Sequence, residues 1–158
     1  MSVPMNVNDI YLSNDGYRFF VAVTGYKYKP YKLSDGSLAV GFKHTGPEIV
    51  AGKTYTDEEI YDFFMIDKEW YENDVRKIFD PRFMSQHMFD AMFSFAYSVG
   101  NISNTDLGRM IKKNPYDDRI VYAWQKTYTN GLKNRTLMRR RKREVEYYFT
   151  PDKDDIED

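Results

Sequence analysis

Apolar residues recur at three- and four-residue steps along most of the chain after residue 56, which is typical of helices that bury one face. Thr56 begins the longest such stretch with a capping pattern completed by Glu59, and Asp80-Pro81 ends it. The next stretch, Ser85–Val99, is apolar on almost every side and is expected to be a central buried helix. Shorter helical patterns cover residues 13–25, 104–114, 117–128 and 133–149.

One segment near the N-terminus has the short apolar runs of strands instead. Tyr31–Leu33 and Ser37–Phe42 flank the turn Ser34-Asp35-Gly36, which predicts a β-hairpin. The patterns together predict an α+β, mainly α fold, with a small N-terminal hairpin or sheet lobe and a helical lobe around the central helix. Residues 1–150 show no repeat or linker and are predicted to form a single domain, followed by an acidic, flexible tail at 151–158.

The amino-acid composition limits which ligands and cofactors the chain is expected to bind. A net charge of −1 gives no overall attraction to nucleic acid or anionic membrane. The absence of cysteine excludes disulfides and cysteine-based zinc sites, and His44 and His87 alone do not suggest a metal centre. We therefore expect no metal and no cofactor. The N-terminus lacks a signal-peptide pattern and no apolar run suggests a membrane span.

The hairpin region resembles a known family. Pro30–Gly46 keeps Tyr31, Gly36, Gly41 and His44 at the spacing found in the active-site hairpin of phage-type lysozymes, the muramidases of glycoside hydrolase family 24. Four further segments are similar to family motifs in the same order: 45–56, 93–100, 104–107 and 131–135. The resemblance implies a phage lysozyme-like fold and a relation to endolysins, which hydrolyse the MurNAc–GlcNAc β-1,4 bond of peptidoglycan.

The resemblance also identifies three positions where the chemistry differs. The family's catalytic Glu, Asp and Thr correspond to Thr24, Leu33 and Ala39, and none of these residues exchanges a proton near neutral pH. Hydrolysis of a glycoside requires two carboxyl groups in the usual mechanisms. This pattern favours a catalytically inactive homologue, a pseudo-muramidase that acts as a virion structural protein or a peptidoglycan-recognition protein.

An active muramidase with relocated carboxylates is the alternative hypothesis. Asp35 would serve as base and Glu48 as acid, although Asp35 also suits a turn residue before Gly36 and Glu48 an exposed loop acid. Asp15-Gly16 imitates the family's Glu-Gly pair but would displace the first helix relative to the hairpin.

Other site residues are implied by the same resemblance. Tyr31, Phe42 and Ser98 are candidates for a glycan-binding cleft. His44 and Asp67 match a histidine and an acid that pair in the family, so we expect a structural ion pair that raises the pKa of His44 and lowers that of Asp67.

The last predicted helix is unusually basic. It reads either as a solvated face neutralised by the acidic tail, Glu144 and Glu146, or as a docking patch for an anionic partner such as a virion protein, DNA or a wall polymer. The patch would consist of Arg135, Arg139, Arg140, Arg141, Lys142 and Arg143. The expected partners are peptidoglycan or other virion proteins, and the expected location is the phage virion or the host cytoplasm.

Overall fold

The structure is a computed structural model that describes residues 6–127 and 134–153. After a short 3-10 helix (Val7–Asp9), the elements follow in this order: α1 (Asn14–Thr24), β1 (Lys27–Lys32), β2 (Leu38–Gly41), β3 (His44–Thr45), α2 (Asp57–Arg76), α3 (Gln86–Val99), α4 (Asp106–Lys113), α5 (Arg119–Thr127) and α6 (Arg135–Tyr148). The described part is mainly helical with one small antiparallel sheet, which confirms the predicted fold class.

The chain divides into two compact units. Residues 24–70 form the smaller unit, which holds the three strands and the first part of α2. The larger unit contains residues before 24 and after 70. The prediction that residues 1–150 form a single domain stays a prediction.

The smaller unit is built on an antiparallel sheet with strand order β1-β2-β3. Its core is aromatic: the rings of Phe42 and Phe64 lie 5.5 Å apart, centroid to centroid. Gly41 has a φ of +63°, and a Cβ at this position would overlap the side chain of Ile60. Only glycine meets both conditions, so Gly41 fixes how closely β2 approaches α2.

The start of α2 follows from its sequence. The backbone N–H of Glu59 donates to Thr56 Oγ1 at 3.1 Å, and the backbone N–H of Thr56 donates to Glu59 Oε1 at 3.1 Å. This reciprocal pair is the capping box that the sequence predicts. The helix ends at Arg76, a turn earlier than predicted, and residues 77–84 continue as turns.

The larger unit is organised around α3. Every residue from Met88 to Tyr97 is buried, which confirms the predicted central helix. Ser85 Oγ accepts from the backbone N–H of Met88 at the N-terminus, and Gly100 closes the helix with a φ of 116°. Trp124 and Tyr148 are also fully buried, with ring centroids 5.2 Å apart.

Three local expectations differ from the structure. β1 begins at Lys27, four residues before the predicted strand. It includes Pro30, which is tolerated because β1 lies at the edge of the sheet. The two-residue strand β3 is too short to leave a sequence pattern. Asp152 in the predicted flexible tail is bound: its carboxylate accepts from the backbone N–H groups of Gln86 and His87 at 2.9 Å each. Residues 154–158 of that tail, and residues 131–133 of the segment similar to a family motif, lie outside the described residues.

Candidate functional site

The hairpin closes with a tight, self-bonded turn. The backbone N–H of Leu33 donates to the Ser37 carbonyl at 2.8 Å, and Gly36 occupies the turn with a φ of +87°. Asp35 Oδ1 accepts from both the backbone N–H and the hydroxyl of Ser37, at 2.9 and 2.6 Å. These bonds lower the pKa of Asp35, with the Ser37 hydroxyl as the main cause. Asp35 is therefore an ionised turn residue.

The three positions matched to the family's catalytic residues differ in exposure. Thr24 is the last residue of α1, and its buried Oγ1 has no hydrogen-bond partner among the described residues. Leu33 is half-buried directly after β1. Ala39 lies in β2, fully buried and paired with Tyr31 of β1. Only the Thr24 hydroxyl offers a polar side-chain atom at these positions.

His44 lies between two carboxylates. Its Nδ1 is 2.7 Å from Asp67 Oδ2, and its Nε2 is 2.6 Å from Glu48 Oε1. Its ring stacks on Phe63 with 4.3 Å between centroids. An ionised carboxylate can only accept, so a ring that bonds both acids carries a proton on each nitrogen. The arrangement is an acid–imidazolium–acid chain from α2 to the loop after β3.

The pKa shifts of this chain have different causes. Burial alone lowers the pKa of His44, but its bonds to Glu48 and Asp67 outweigh burial and the pKa is raised. The bond to His44 lowers the pKa of Glu48, whose side chain is half exposed. Burial raises the pKa of Asp67 more than His44 lowers it. The expectation of a lowered pKa for Asp67 is therefore wrong, because the sequence does not show how deeply this acid is covered.

The three candidates for a glycan-binding cleft have different surroundings. Tyr31 is half-buried, with Lys27 Nζ 4.5 Å from its ring centroid, and burial raises its pKa. Phe42 is 4% exposed, so its predicted role in contacting glycan is wrong: it is a core residue. Ser98 Oγ accepts from Arg141 Nη2 at 2.5 Å.

Two other tyrosines of the smaller unit are more accessible. Tyr26 is 40% exposed and Tyr28 42% exposed, with their ring centroids 5.4 Å apart. The hydroxyl of Tyr28 donates to Asp57 at the start of α2, at 2.8 Å. Exposed aromatic rings held in place by such contacts can stack on the apolar faces of sugars.

The predicted basic patch is only partly a surface. Arg135, Arg139, Lys142 and Arg143 are exposed. Arg141 is fully buried, so its assignment to a docking patch is wrong, whereas Arg140 keeps 9% of its surface exposed. Both are drawn inward by Glu144.

Glu144 is a buried acceptor that the sequence reading missed. Its carboxylate accepts from Arg140 Nε at 3.0 Å, Arg141 Nη1 at 2.5 Å and Trp124 Nε1 at 3.1 Å. The Ser94 hydroxyl donates to the same group at 2.5 Å. The recurrence of Arg141, Glu144 and Tyr148 at three- and four-residue steps was the available signal, because it marks one helix face.

Asp90 was also missed. It is fully buried on α3 and accepts from the backbone N–H and the hydroxyl of Ser13, at 3.1 and 2.5 Å. Burial raises its pKa to about 6. This value would suit a general acid, but the carboxyl group has no exposed surface through which to meet a substrate. Asp90 instead fixes the residue that precedes α1.

The described residues show neither a metal-binding cluster nor a membrane-spanning helix. They contain no cluster of three His, Cys, Asp or Glu side chains arranged to hold a metal ion. None of the helices described combines the length and the apolarity needed to cross a bilayer.

Comparison with known proteins identifies the class. The phage lysozyme family model matches residues 21–144, and the chain belongs to this family. It is similar to the SAR-endolysin of Bacteriophage PS119, with 32% identity over 133 residues that cover 81% of this chain and 74% of the relative. The SAR-endolysin of Bacteriophage PS34 is 30% identical over 135 residues, which cover 84% and 77%.

Solved structures agree on the fold. The endolysin from Escherichia coli O157:H7 phage FAHEc1 matches with a TM-score of 0.75 at 20% identity, covering 92% of this chain and 98% of that one. The muramidase domain of SpmX from Asticaccaulis excentricus matches with a TM-score of 0.72 at 23% identity, covering 89% and 99%. The fold is that of the phage lysozymes.

Proposed function

We propose that this chain is a catalytically inactive phage lysozyme homologue, a pseudo-muramidase that recognises peptidoglycan or serves as a structural protein of the phage particle. The main support is the chemistry at the three family positions. Thr24, Leu33 and Ala39 carry no group that titrates near neutral pH. Glycoside hydrolysis by a carboxyl pair therefore has neither its acid nor its base at these positions.

Asp35 in the hairpin turn and Glu48 in the loop after β3 do not replace the missing pair. A general acid must hold its proton near the working pH, which usually requires a raised pKa. The pKa of Asp35 is lowered by its bonds to Ser37, and that of Glu48 is lowered by its bond to His44. Both groups are ionised acceptors, and Glu48 already has a partner.

The exposed tyrosine rings of the smaller unit favour glycan recognition over a purely structural role. Tyr26 and Tyr28 stand next to each other on the strand side of the smaller unit, and Lys27 lies over the ring of Tyr31. Peptidoglycan chains offer both sugar faces for stacking and carboxylates for a cation.

An active muramidase with relocated carboxylates is the second candidate, and the naming of both similar relatives as endolysins favours it. In that mechanism the ionised Asp35 would orient water and Glu48 would protonate the leaving oxygen. The second role conflicts with the lowered pKa of Glu48.

Turnover on purified sacculi separates the two candidates. We expect no release of reducing ends by the wild-type chain. Cleavage that disappears in Asp35→Asn or Glu48→Gln would establish the relocated mechanism instead. Cleavage that survives both substitutions would place the catalytic groups elsewhere and also refute the proposal.

A restoration experiment tests the assignment of the positions. Thr24→Glu with Leu33→Asp supplies the two carboxyl groups, and Ala39→Thr adds the hydroxyl at a fully buried site. Because the third change can disturb packing, the double variant is measured as well as the triple, each with thermal unfolding to verify folding. A folded variant that gains hydrolysis supports lost catalysis at these positions, whereas two folded, inert variants contradict the alignment of the hairpin.

A sacculus pulldown tests recognition. We expect the wild-type chain to sediment with sacculi and Tyr26→Ala with Tyr28→Ala to reduce the bound fraction. Tyr122→Ala, which removes a 64% exposed ring from α5, is the matched control. A chain that does not sediment, but is found in purified phage particles, would favour the structural role.

A further inference from the structure

Three arginine side chains on one face of α6 line a pocket. Thr136, Arg139, Arg140 and Arg143 follow one another at steps of three, one and three residues, so they share a side of the helix. With Ala22 and Val23 from the last turns of α1, they line a pocket of about 220 Å³. We call it the arginine pocket. It lies within the larger unit and outside the hairpin site.

Arg140 is the fixed part of the arginine pocket. Its Nε donates to Glu144 Oε2 at 3.0 Å, and its Nη2 donates to the carbonyl and the hydroxyl of Ser94 at 3.0 and 3.2 Å. These bonds hold the plane of the guanidinium group. Nη1 makes no hydrogen bond to any described residue, so this nitrogen has donors left for a ligand.

Arg139 and Arg143 are the exposed part. Neither forms an ion pair within the described ranges 6–127 and 134–153. The Arg143 guanidinium lies 5.9 Å from the ring centroid of Phe19, which supports it from one side. Glu146, three residues further along the helix, is at pairing distance in sequence but is not paired with Arg143 in the structure.

Charge around the pocket is unbalanced. Glu144 is shared between Arg140 and Arg141, so its single negative charge does not neutralise both. Like charges at four-residue spacing destabilise a helix slightly. A bound anion would offset this repulsion and pair with Arg139 and Arg143, which have no ion-pair partner among the described residues.

We propose that the arginine pocket binds a phosphate group. A phosphate monoester carries up to two negative charges and three terminal oxygens, which suits three guanidinium groups that approach from different residues. A guanidinium group binds such oxygens in pairs through its planar donors. A carboxylate, with one charge and two oxygens in a plane, would leave part of the donor set unused.

Titration with inorganic phosphate tests the proposal. Binding is measured by NMR from the chemical shifts of Arg139, Arg140 and Arg143 at constant ionic strength. Acetate is titrated separately as the comparison anion. We expect saturable shifts with phosphate and a much weaker response to acetate. Arg139→Gln and Arg143→Gln should each weaken phosphate binding about tenfold, because each removes a charge-assisted donor pair.

Arg135→Gln is the matched control, since it removes the same charge from an exposed position of α6 that does not line the arginine pocket. All three variants change exposed side chains, and circular dichroism verifies their folding. The proposal is overturned if phosphate produces no saturable shift, if acetate binds equally well, or if Arg135→Gln weakens binding as much as the other two.

The source of the phosphate is distinguished by two further probes. Glycerol 3-phosphate presents a soluble monoester, and phosphatidylcholine vesicles with and without phosphatidic acid present the same group on a lipid surface. Binding to either probe that depends on Arg139 supports the site and names its source. Binding to vesicles that does not depend on Arg139 contradicts it.

Discussion

Replacing Asp67 by Asn removes one end of the acid–imidazolium–acid chain while keeping the shape of the side chain. Asp67 Oδ2 lies 2.7 Å from His44 Nδ1, and the two side chains are 26% and 7% exposed. The variant leaves a buried imidazole that has only Glu48 as a charged partner. We expect the protein to lose stability and the pKa of His44 to fall.

The size of the effect follows from burial. A hydrogen bond to a charged group contributes about 1.5–3 kcal/mol to stability. Partial exposure of Asp67 screens the interaction, so we expect a loss of about 2 kcal/mol. For a chain of this length such a loss lowers the melting temperature by about 4–8 °C.

The loss should depend on pH. The pKa of folded His44 is raised above its ordinary value of 6.5. Its contribution to stability is therefore fully present below that ordinary value and is lost as the pH rises through the folded pKa. Urea unfolding of wild type and Asp67→Asn should show a larger difference near pH 6 than near pH 9, and NMR titration of His44 should show the lower pKa directly.

Glu48→Gln is the matched comparison, because it removes the acid at the other ring nitrogen. Its side chain is half exposed, so we expect a smaller loss of stability and again a lower pKa for His44. The reasoning fails if wild-type His44 titrates at or below its ordinary pKa. It also fails if Asp67→Asn leaves that pKa unchanged.

Two further substitutions test the backbone and the larger unit. Lys43 has a φ of 65°, a left-handed conformation that costs an L-residue about 1 kcal/mol. Glycine relieves this strain but gives the unfolded chain more freedom, so Lys43→Gly should raise the free energy of unfolding by about 0.5 kcal/mol. Lys32→Gly in β1 should instead lower it, and equal losses in urea unfolding would contradict the assigned conformation. Glu144→Gln leaves two buried guanidinium groups without a carboxylate and should cost about 3–5 kcal/mol. The exposed Glu146→Gln should change stability by less than about 0.5 kcal/mol, and similar melting temperatures for both variants would count against the buried network.

The helices were predictable because their signals are local. Periodicity and capping residues act within four or five positions, so Thr56 with Glu59 marked the start of one helix and Ser85 that of the next, as the structure reproduces. The shape of the hairpin was similarly readable from Gly36 and from the family motif around it. The start of β1 was less readable: the strand runs through Pro30, whose missing N–H is tolerated because β1 lies at the edge of the sheet.

The candidate site was only partly predictable. The resemblance to the family predicted that His44 pairs with Asp67, and the structure places them in hydrogen-bond contact. The direction of the pKa shift of Asp67 depends on how much water its carboxyl group loses, and that depends on residues distant in sequence. Glu48 as the second partner of His44 was likewise not visible in the spacing.

The basic helix shows the same division. Its composition determined that α6 carries many cations, which read as one surface in the linear sequence. Successive residues on a helix point about 100° apart, and packing against α3 and α5 turned Arg141 and Glu144 inward while Arg139 and Arg143 stayed exposed. The sequence by itself determined the elements, the family and the residues at the catalytic positions. Tertiary packing decided which charges are buried, which are paired and which are left for a ligand, because desolvation is set by neighbours that the local pattern does not contain.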